Sequence, residues 1–343
     1  MKHVLILLAF AVAANGAETP VTFHGFVDGV YAWNANAPHS HDSFVPGTGT
    51  SARHANQFDL NLAEIEIARD AQPLGFHLSL VEGSGEEVVH SADPHPYRHV
   101  YQASILYKSS DRLTFEAGIF PSHIGFEGFF SKDNWNYTRG WLGEFSPYYQ
   151  TGVHATVRFN DHWSGEVHVL NGWQIVGENN DAKAIGAKIA YSNDRLSASL
   201  NTFDGPELPN DNNDWRHFGD LIATYKATKT LTLGGSLDRG RQQFPDRAAA
   251  NWLGIAAYAR YTLDNKRAIA VRFERFSDPR NGITGTPQKL DEATLTYEHR
   301  PVSNLILKLE ARRDHSTAPV FTKGESGTSR DETIVVAGAV ATF

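Results

Sequence analysis

Apolar and polar side chains alternate with a period of two along most of this chain. From Leu305 to Ala311, leucines and an alanine at every second position alternate with Ile306, Lys308 and Glu310. A period of two predicts a β-strand with one apolar and one polar face. Because the polar face carries full charges, the pattern is typical of strands that contact lipid on one side and water on the other. The same alternation recurs in residues 153–159, 185–191, 231–238 and 269–274.

One predicted strand, residues 58–67, changes phase within its length. Its apolar residues occupy even positions up to Leu62 and odd positions afterwards. Without a change of register, Glu64 and Glu66 would face lipid, which costs free energy for a charged side chain. We therefore expect a β-bulge near Leu62 and Ala63.

The connections between the predicted strands alternate between short and long. Short polar turns are expected at 70–73, 109–111, 160–162, 192–194, 227–229, 264–266 and 301–304. Long connections are expected at 34–56, 83–96, 121–148, 172–180, 205–214, 240–248, 278–288 and 317–330. Seven short periplasmic turns and eight long extracellular loops predict an all-β fold, a transmembrane antiparallel β-barrel of about sixteen strands. A barrel of that size encloses an aqueous channel, because side chains no longer fill its interior.

The first residues have the layout of a secretory signal peptide. Lys2 precedes an apolar run over residues 4–14, and small residues follow up to Ala17. We expect residues 1–17 to be removed and residues 18–343 to form one barrel domain. No later stretch approaches the roughly 18 apolar residues of a membrane-spanning helix, so the sequence favours strands over transmembrane helices.

The composition narrows the classes of function. The chain has no Cys, so an exported form cannot depend on disulfides, and a closed backbone hydrogen-bond network is the expected source of stability. The net charge of −8 is spread over mixed charges, so we expect no nucleic-acid partner. No cofactor is implied, and no local motif joins a nucleophile to a base, so an enzyme is not expected.

Two groups of residues resemble the OmpL-like β-barrel porin family, of the porin-2 type. The first is the segment 23–34; the second is an ordered series of motifs, namely Ala-Gly at 117–118, Ile-Gly-Phe-Glu at 124–127, Asn134, Pro147, Thr-Gly at 151–152 and Asn-Gly-Trp at 171–173. The resemblance runs from about Thr22 to the C-terminus, although the second half matches only in its strand rhythm. It implies a porin-like barrel in the outer membrane of a diderm bacterium and brings no substrate or binding residues with it.

The longest connection, residues 121–148, combines many aromatic residues with charged ones. One hypothesis is that it folds into the barrel and narrows the pore, with Glu127, Asp133 and Arg139 producing a transverse electric field. The alternative is an outer cap whose aromatic side chains pack on one another. The sequence leaves both open.

Charged residues recur on the predicted water-facing side of the strands. We expect ten of them to line the pore: Glu116, Arg158, Glu166, Lys188, Asp220, Arg272, Glu274, Lys308, Glu310 and Arg312. An alternative is that some form ion pairs that stiffen the wall. The two interpretations are compatible.

Histidines are concentrated in the first two long connections. His39 and His41 lie in the first, and His90 and His95 lie in the second. Imidazole binds zinc, copper and nickel, but this spacing matches no established metal site, so the four are only weak metal candidates.

Together these patterns predict an outer-membrane porin for the passive diffusion of small hydrophilic solutes or ions. The negative net charge weakly favours cations. Expected partners are membrane lipid, the solutes, and the barrel assembly machinery, which recognises a terminal strand ending in an aromatic residue such as Phe343. The oligomeric state is left open. The alternative is a surface barrel without a channel, whose His-rich and aromatic outer loops serve adhesion or metal binding.

Overall fold

The computed structural model describes residues 19–343. The predicted signal peptide, residues 1–17, lies outside the described residues. A closed antiparallel barrel of sixteen strands accounts for most of the described chain, which confirms the predicted fold class and strand number. Each strand pairs with its neighbours in sequence, and the last strand closes the barrel on the first, with Phe26 opposite Thr342. A closed ring leaves no unpaired edge for the membrane interior.

Eighteen strands are present in the described residues, and sixteen of them form the barrel. The barrel strands are β1 (Thr22–Asn34), β2 (Phe58–Arg69), β3 (Leu74–Glu82), β4 (Val100–Ser110), β5 (Leu113–Pro121), β6 (Tyr149–Arg158), β7 (Trp163–Leu170), β8 (Ala184–Ser192), β9 (Leu196–Pro206), β10 (Trp215–Lys226), β11 (Leu231–Gln242), β12 (Ala250–Thr262), β13 (Arg267–Asp278), β14 (Gln288–His299), β15 (Leu305–Ser316) and β18 (Asp331–Thr342). The short strands β16 (Phe321–Lys323) and β17 (Gly327–Ser329) form a hairpin in the last long connection.

In the part of the chain that the structure describes, helical structure is limited to short pieces of the connections. These are α1 (Ser84–Val89), α2 (Trp141–Glu144) and one turn of 3-10 helix (His95–Tyr97). Within residues 19–343, none of these helices has the length and apolar character needed to cross a membrane. Each of the seven predicted short turns and eight predicted long connections spans a junction between consecutive barrel strands and overlaps a strand end by at most three residues, so the predicted alternation of loop lengths is confirmed.

The alternation of side chains follows the predicted inward and outward faces. The outward Leu309 and Phe273 are 56% and 61% exposed, whereas the neighbouring Glu310 and Arg272 are buried inside the barrel. An apolar outer face matches lipid, and a charged inner face requires water or polar partners.

The predicted β-bulge is present, one residue before the expected position. Asp28 on β1 lies opposite Leu62, but the next residue, Gly29, lies opposite Leu60, so Asn61 is the extra residue. The shift keeps Glu64 inside the barrel, where its carboxylate accepts a hydrogen bond of 2.5 Å from the Ser79 hydroxyl. The bulge therefore keeps the charged side chain of Glu64 away from lipid, as the sequence pattern requires.

Candidate functional site: the barrel interior

Residues 122–148 turn inward after β5 and lie inside the barrel. Asn136, Tyr137, Thr138 and Arg139 are at most 1% exposed, although they belong to a connection. The Tyr137 ring lies against β18 at Gly338, where a Cβ atom would come within 2.3 Å of the ring, so only glycine allows this approach. The alternative of an external aromatic cap is therefore wrong. We call residues 122–148 the inward segment.

Two carboxylates on the barrel wall bind the middle of the inward segment. Asp28 accepts hydrogen bonds from the Tyr137 hydroxyl, at 2.7 Å, and from Ser131. Glu310 accepts them from the backbone N–H groups of Tyr137, at 2.5 Å, and Thr138, at 3.0 Å. Backbone donors that would otherwise be buried without partners are satisfied by the wall, which fixes the path of the segment.

Three basic residues of the wall bind the same segment. Arg272 donates to the Glu127 carboxylate at 2.6 Å and to the Thr138 carbonyl at 2.7 Å. Lys308 donates to the carbonyls of Ser131, at 2.7 Å, and Asn134, at 2.6 Å, and Arg312 donates to the Arg139 carbonyl. A buried charge is tolerated only when it is paired and hydrogen-bonded, and these side chains meet that condition.

The ten predicted pore-lining residues fall into three groups. Six of them bond to the inward segment: Asp220, Arg272, Glu274, Lys308, Glu310 and Arg312. Three lie on the opposite inner face, namely Glu116, Glu166 and Lys188, and keep side-chain exposures of 14%, 18% and 27%. Arg158 stands apart at the end of β6, where it is 60% exposed and pairs with Asp161 in a turn.

The three charged residues predicted within the inward segment differ in environment. Glu127 is buried against Arg272. Arg139 is also buried, with its guanidinium 5.4 Å from the ring centres of Phe129 and Tyr148. Only Asp133, 61% exposed and paired with its neighbour Lys132, faces open space. The expectation that all three act together on a passing solute is therefore wrong for Glu127 and Arg139, because burial and local partners remove them from the open space.

The first long connection, between β1 and β2, packs on the inward segment at the outer end of the barrel. The Glu144 carboxylate accepts hydrogen bonds from the backbone N–H groups of Gly49, at 3.0 Å, and Thr50, at 3.1 Å. Glu332 accepts from Asn34 at 2.7 Å and from the Phe44 N–H at 3.0 Å. Sequence reasoning missed these contacts, and it also missed Asp28 as an anchor.

An apolar core occupies the side of the interior that the inward segment fills. Ile334, Val336 and Phe276 face inward and are at most 1% exposed, where they belong to one buried cluster with Trp141 and Leu142. Apolar residues on the inner face of β13 and β18 could have indicated from sequence that something packs there. They are not expected of a wall that faces water.

The predicted histidine candidates are not brought together. Among residues 19–343, His39, His41, His90 and His95 belong to no group of three metal-ligating side chains. His39, His41 and His95 are exposed, and His90 is buried with its ring nitrogen 2.9 Å from Asp93. Two other groups in that range do have metal-ligating spacing: His154, Glu166 and His168 on the inner wall, and Glu82, Glu86 and His99 near the second long connection.

One carboxyl outside the strands has a strongly shifted pKa. Burial raises the pKa of the Glu207 carboxyl to about 7. The positive charge of Arg216 and a hydrogen bond of 3.0 Å from the Trp173 N–H oppose this rise but are outweighed by burial. Glu207 therefore titrates near neutral pH at the outer end of the barrel.

A sixteen-stranded barrel with an apolar outer face and a charged interior containing an inward segment defines the class of outer-membrane porins. The chain belongs to a particular family of that class: the family described as putative beta-barrel porin-2, OmpL-like, matches residues 20–343. The protein is thus an outer-membrane porin, a channel in the membrane of a diderm bacterium. Porins of this family and fold are non-enzymatic channels.

Solved structures of other porins share the fold at low sequence identity. An anion-selective porin from Comamonas acidovorans is similar with a TM-score of 0.65 and 13% identity, over 95% of this chain and 100% of that one. The outer membrane channel DcaP of Acinetobacter baumannii has a TM-score of 0.63 and 12% identity, covering 97% and 100%. Salmonella typhi OmpF in complex with daunomycin has a TM-score of 0.62 and 14% identity, covering 95% and 98%. No curated protein matches the chain.

Proposed function

We propose that ions and small hydrophilic solutes pass between the inward segment and the inner face of β2 to β8. A difference in burial between the two sides of the interior supports this route. Glu310, Arg312 and Arg272 are at most 1% exposed beneath the segment, whereas the side chains of Glu116, Glu166 and Lys188 retain partial exposure. Water therefore reaches the inner face of β2 to β8, and in this proposal the solutes take the same path as the water.

The inward segment narrows this route. Its Phe130 ring lies 4.8 Å from the Tyr101 ring on β4, and Lys132 lies 5.4 Å from the Phe26 ring on β1. The exposed Asp133 stands beside these contacts. In this proposal the segment reduces the cross-section while its charged edge faces the solute.

The charges along the route favour cations. Away from the strand ends, the partly exposed Glu66, Glu116 and Glu166 carry three negative charges with side-chain exposures of 25%, 14% and 18%, against one positive charge on Lys188, a balance of −3 + 1 = −2. Lys108 and Arg158, on the same face near the turns, each pair with an aspartate and add no net charge. A narrow path with one sign of charge on its wall raises the local concentration of the opposite ion. The selectivity named for the Comamonas acidovorans porin is for anions. We propose the opposite preference here.

The reversal potential of the barrel in a planar bilayer under a salt gradient tests this function. The wild type is expected to show discrete conductance steps and a reversal potential of the sign for cations. The triple variant E66Q/E116Q/E166Q should move that potential toward zero or beyond. A matched control, D181N/D246N/E325Q, removes three negative charges from exposed outer positions and should leave it nearly unchanged.

Two results would count against the proposal. An anion-selective wild type would contradict the charge argument. Equal shifts in the wall variant and the outer-loop control would place the selectivity at the mouth rather than along the β2 to β8 wall.

We also propose the export route that the sequence predicts, in which residues 1–17 are cleaved and the assembly machinery recognises the C-terminal strand. Support comes from the terminus, where Phe343 is 70% exposed and its backbone pairs with Gly25 on β1 at 3.0 and 3.1 Å. N-terminal sequencing of protein from outer membranes tests the cleavage. A mature chain starting at Met1 would contradict it.

A further inference from the structure

Two histidines and a glutamate converge on the inner wall near the middle of β6 and β7. His154 on β6 lies directly opposite His168 on β7, and Glu166 is two residues from His168 on the same face. One donor atom from each of the three side chains lies within 4.8 Å of the others. Adjacent strands in register hold them, so the wall itself fixes their spacing.

Both imidazole rings are oriented by carboxylates and keep one nitrogen free. The Nε2 atom of His154 lies 3.1 Å from Glu116, and the Nε2 atom of His168 lies 3.1 Å from Glu166. Among the described residues, the Nδ1 atom of each ring is buried and has no hydrogen-bond partner. A buried nitrogen without a partner is uncommon and requires an explanation, such as a bound ion. For His154, a carboxylate on one nitrogen with the other nitrogen free is also the usual arrangement of an imidazole around a bound metal.

A third histidine stiffens the group without being free to bind. The His123 ring stacks on the His168 ring at 4.1 Å between centres. Its Nδ1 atom pairs with Gln150 at 2.8 Å and its Nε2 atom with the Thr202 carbonyl at 3.0 Å, so both nitrogens are occupied. His123 therefore restricts the orientation of His168, and of this cluster of described residues His154, Glu166 and His168 are left as ligands.

We propose that His154, Glu166 and His168 form a binding site for a borderline-soft divalent cation, of which Zn²⁺ is the representative. Two imidazoles and one carboxylate suit Zn²⁺, Cu²⁺ or Ni²⁺, whereas Mg²⁺ and Ca²⁺ prefer oxygen ligands alone. Neutral imidazole binds such an ion without losing a proton. Bond lengths of about 2.0–2.1 Å require the three donor atoms to close on the ion by side-chain rotation, with water as a fourth ligand. In this movement the Glu166 carboxylate exchanges its contacts with the His168 Nε2 atom, at 3.1 Å, and the Lys188 Nζ atom, at 3.6 Å, for the ion.

The position of the site gives it access to ions. The side chains of His154 and Glu166 are 13% and 18% exposed to the interior, on the wall that we propose solutes follow. A bound ion would add two positive charges to that wall and reduce the passage of other cations. This consequence depends on the proposed function, whereas binding itself does not.

Zn²⁺ binding to the folded barrel in detergent, measured by equilibrium dialysis, tests the site without a conductance measurement. The wild type is expected to bind Zn²⁺, and Mg²⁺ in excess should not displace it. The variant H154N/H168N should bind at least about tenfold more weakly. The variant E166Q provides a milder second test, and heat-modifiable migration on gels shows whether each variant is folded.

Two matched controls separate this site from the rest of the protein. H39N/H41N/H95N removes three exposed histidines, and H99N disrupts the other group with metal-ligating spacing; both should retain wild-type affinity at the inner site. Unchanged affinity in folded H154N/H168N and E166Q, or loss of binding only in H99N, would overturn the proposal. A silent channel that still binds Zn²⁺ would contradict the proposed function and leave this site standing.

Discussion

At the scale of single residues, the two faces of one strand place the same kind of side chain in opposite settings. Arg272 and Arg275 both lie on β13, and each pairs with carboxylates. Arg272 is fully buried between Glu127 and Glu292, whereas Arg275 is 69% exposed beside Asp291. Removing one member of a buried network leaves charges without partners, but an exposed pair contributes little.

Replacing Arg272 should therefore destabilise the protein far more than replacing Arg275. We expect R272M to lower the free energy of unfolding by about 3–5 kcal/mol, because Glu127 and Glu292 remain buried and unpaired. R275M should cost less than about 1 kcal/mol. Urea unfolding of the barrel in lipid vesicles measures both. Equal losses in the two variants would show that the inward segment is not held by this network.

Glu207 gives a pH dependence whose sign follows from its environment. Burial raises the pKa of its carboxyl to about 7, above the value near 4.5 expected in an unfolded chain. The folded state therefore binds an extra proton between these values, so the stabilisation is complete below about pH 4.5 and is lost as pH rises through 7.

Hydrogen exchange checks this dependence locally. The Trp173 N–H, which donates to Glu207, should lose protection as pH rises from 5 to 8 beyond the intrinsic change in exchange rate. In E207Q this additional loss should disappear. If both proteins show the same pH dependence, Glu207 does not titrate in this range.

At the scale of secondary-structure elements, the sequence was most informative where lipid and water lie on opposite sides of a strand. Period-two alternation in β13 and β15 predicted the faces correctly, because each face meets one solvent along its length. The phase change in β2 likewise predicted a bulge, which the structure places at Asn61. The faces of the strands and the bulge could be predicted because they are determined by residues adjacent in sequence and by the contrast between lipid and water.

Deleting Asn61 separates the bulge from the alternation of β2. Without the extra residue, Leu62 would follow Leu60 in regular alternation, so both faces of the strand would be unchanged. The deletion does remove the Asn61 side chain, which donates a hydrogen bond of 2.8 Å to Asp28. We therefore expect a folded, heat-modifiable barrel that unfolds at a lower urea concentration than the wild type. Deleting Asn213, in an exposed connection, should have little effect. Failure of the Asn61 deletion to fold would mean that the bulge itself is required for the register of β2.

The path of the inward segment could not be derived from local pattern. Its anchors, Asp28 and Glu310, are separated from Tyr137 by 109 and 173 residues. Alternation identifies Glu310 as inward-facing but does not show whether it meets water or backbone N–H groups. The same limit applies to His154 and His168, which pair across strands and match no sequence motif. The inward apolar residues Ile334 and Val336 were the available indication that part of the interior is packed.

At the scale of the whole molecule, the barrel interior is divided into two parts. One side is filled by the inward segment, held by Arg272, Lys308 and Glu310. The other side keeps partly exposed charges, including Glu116 and Glu166, on β5 and β7. The sixteen-stranded ring closes through backbone pairing that does not involve the segment, so the segment can set the width of the pore independently of the barrel.

Single-channel conductance in planar bilayers, compared between the wild type and a variant lacking residues 129–141, tests this division most directly. The wild type should open in small discrete steps, and the folded deletion variant should open in steps that are clearly larger, because the packed half of the interior becomes available to water. Equal conductance of the two folded proteins would contradict the conclusion that the inward segment sets the width of the pore.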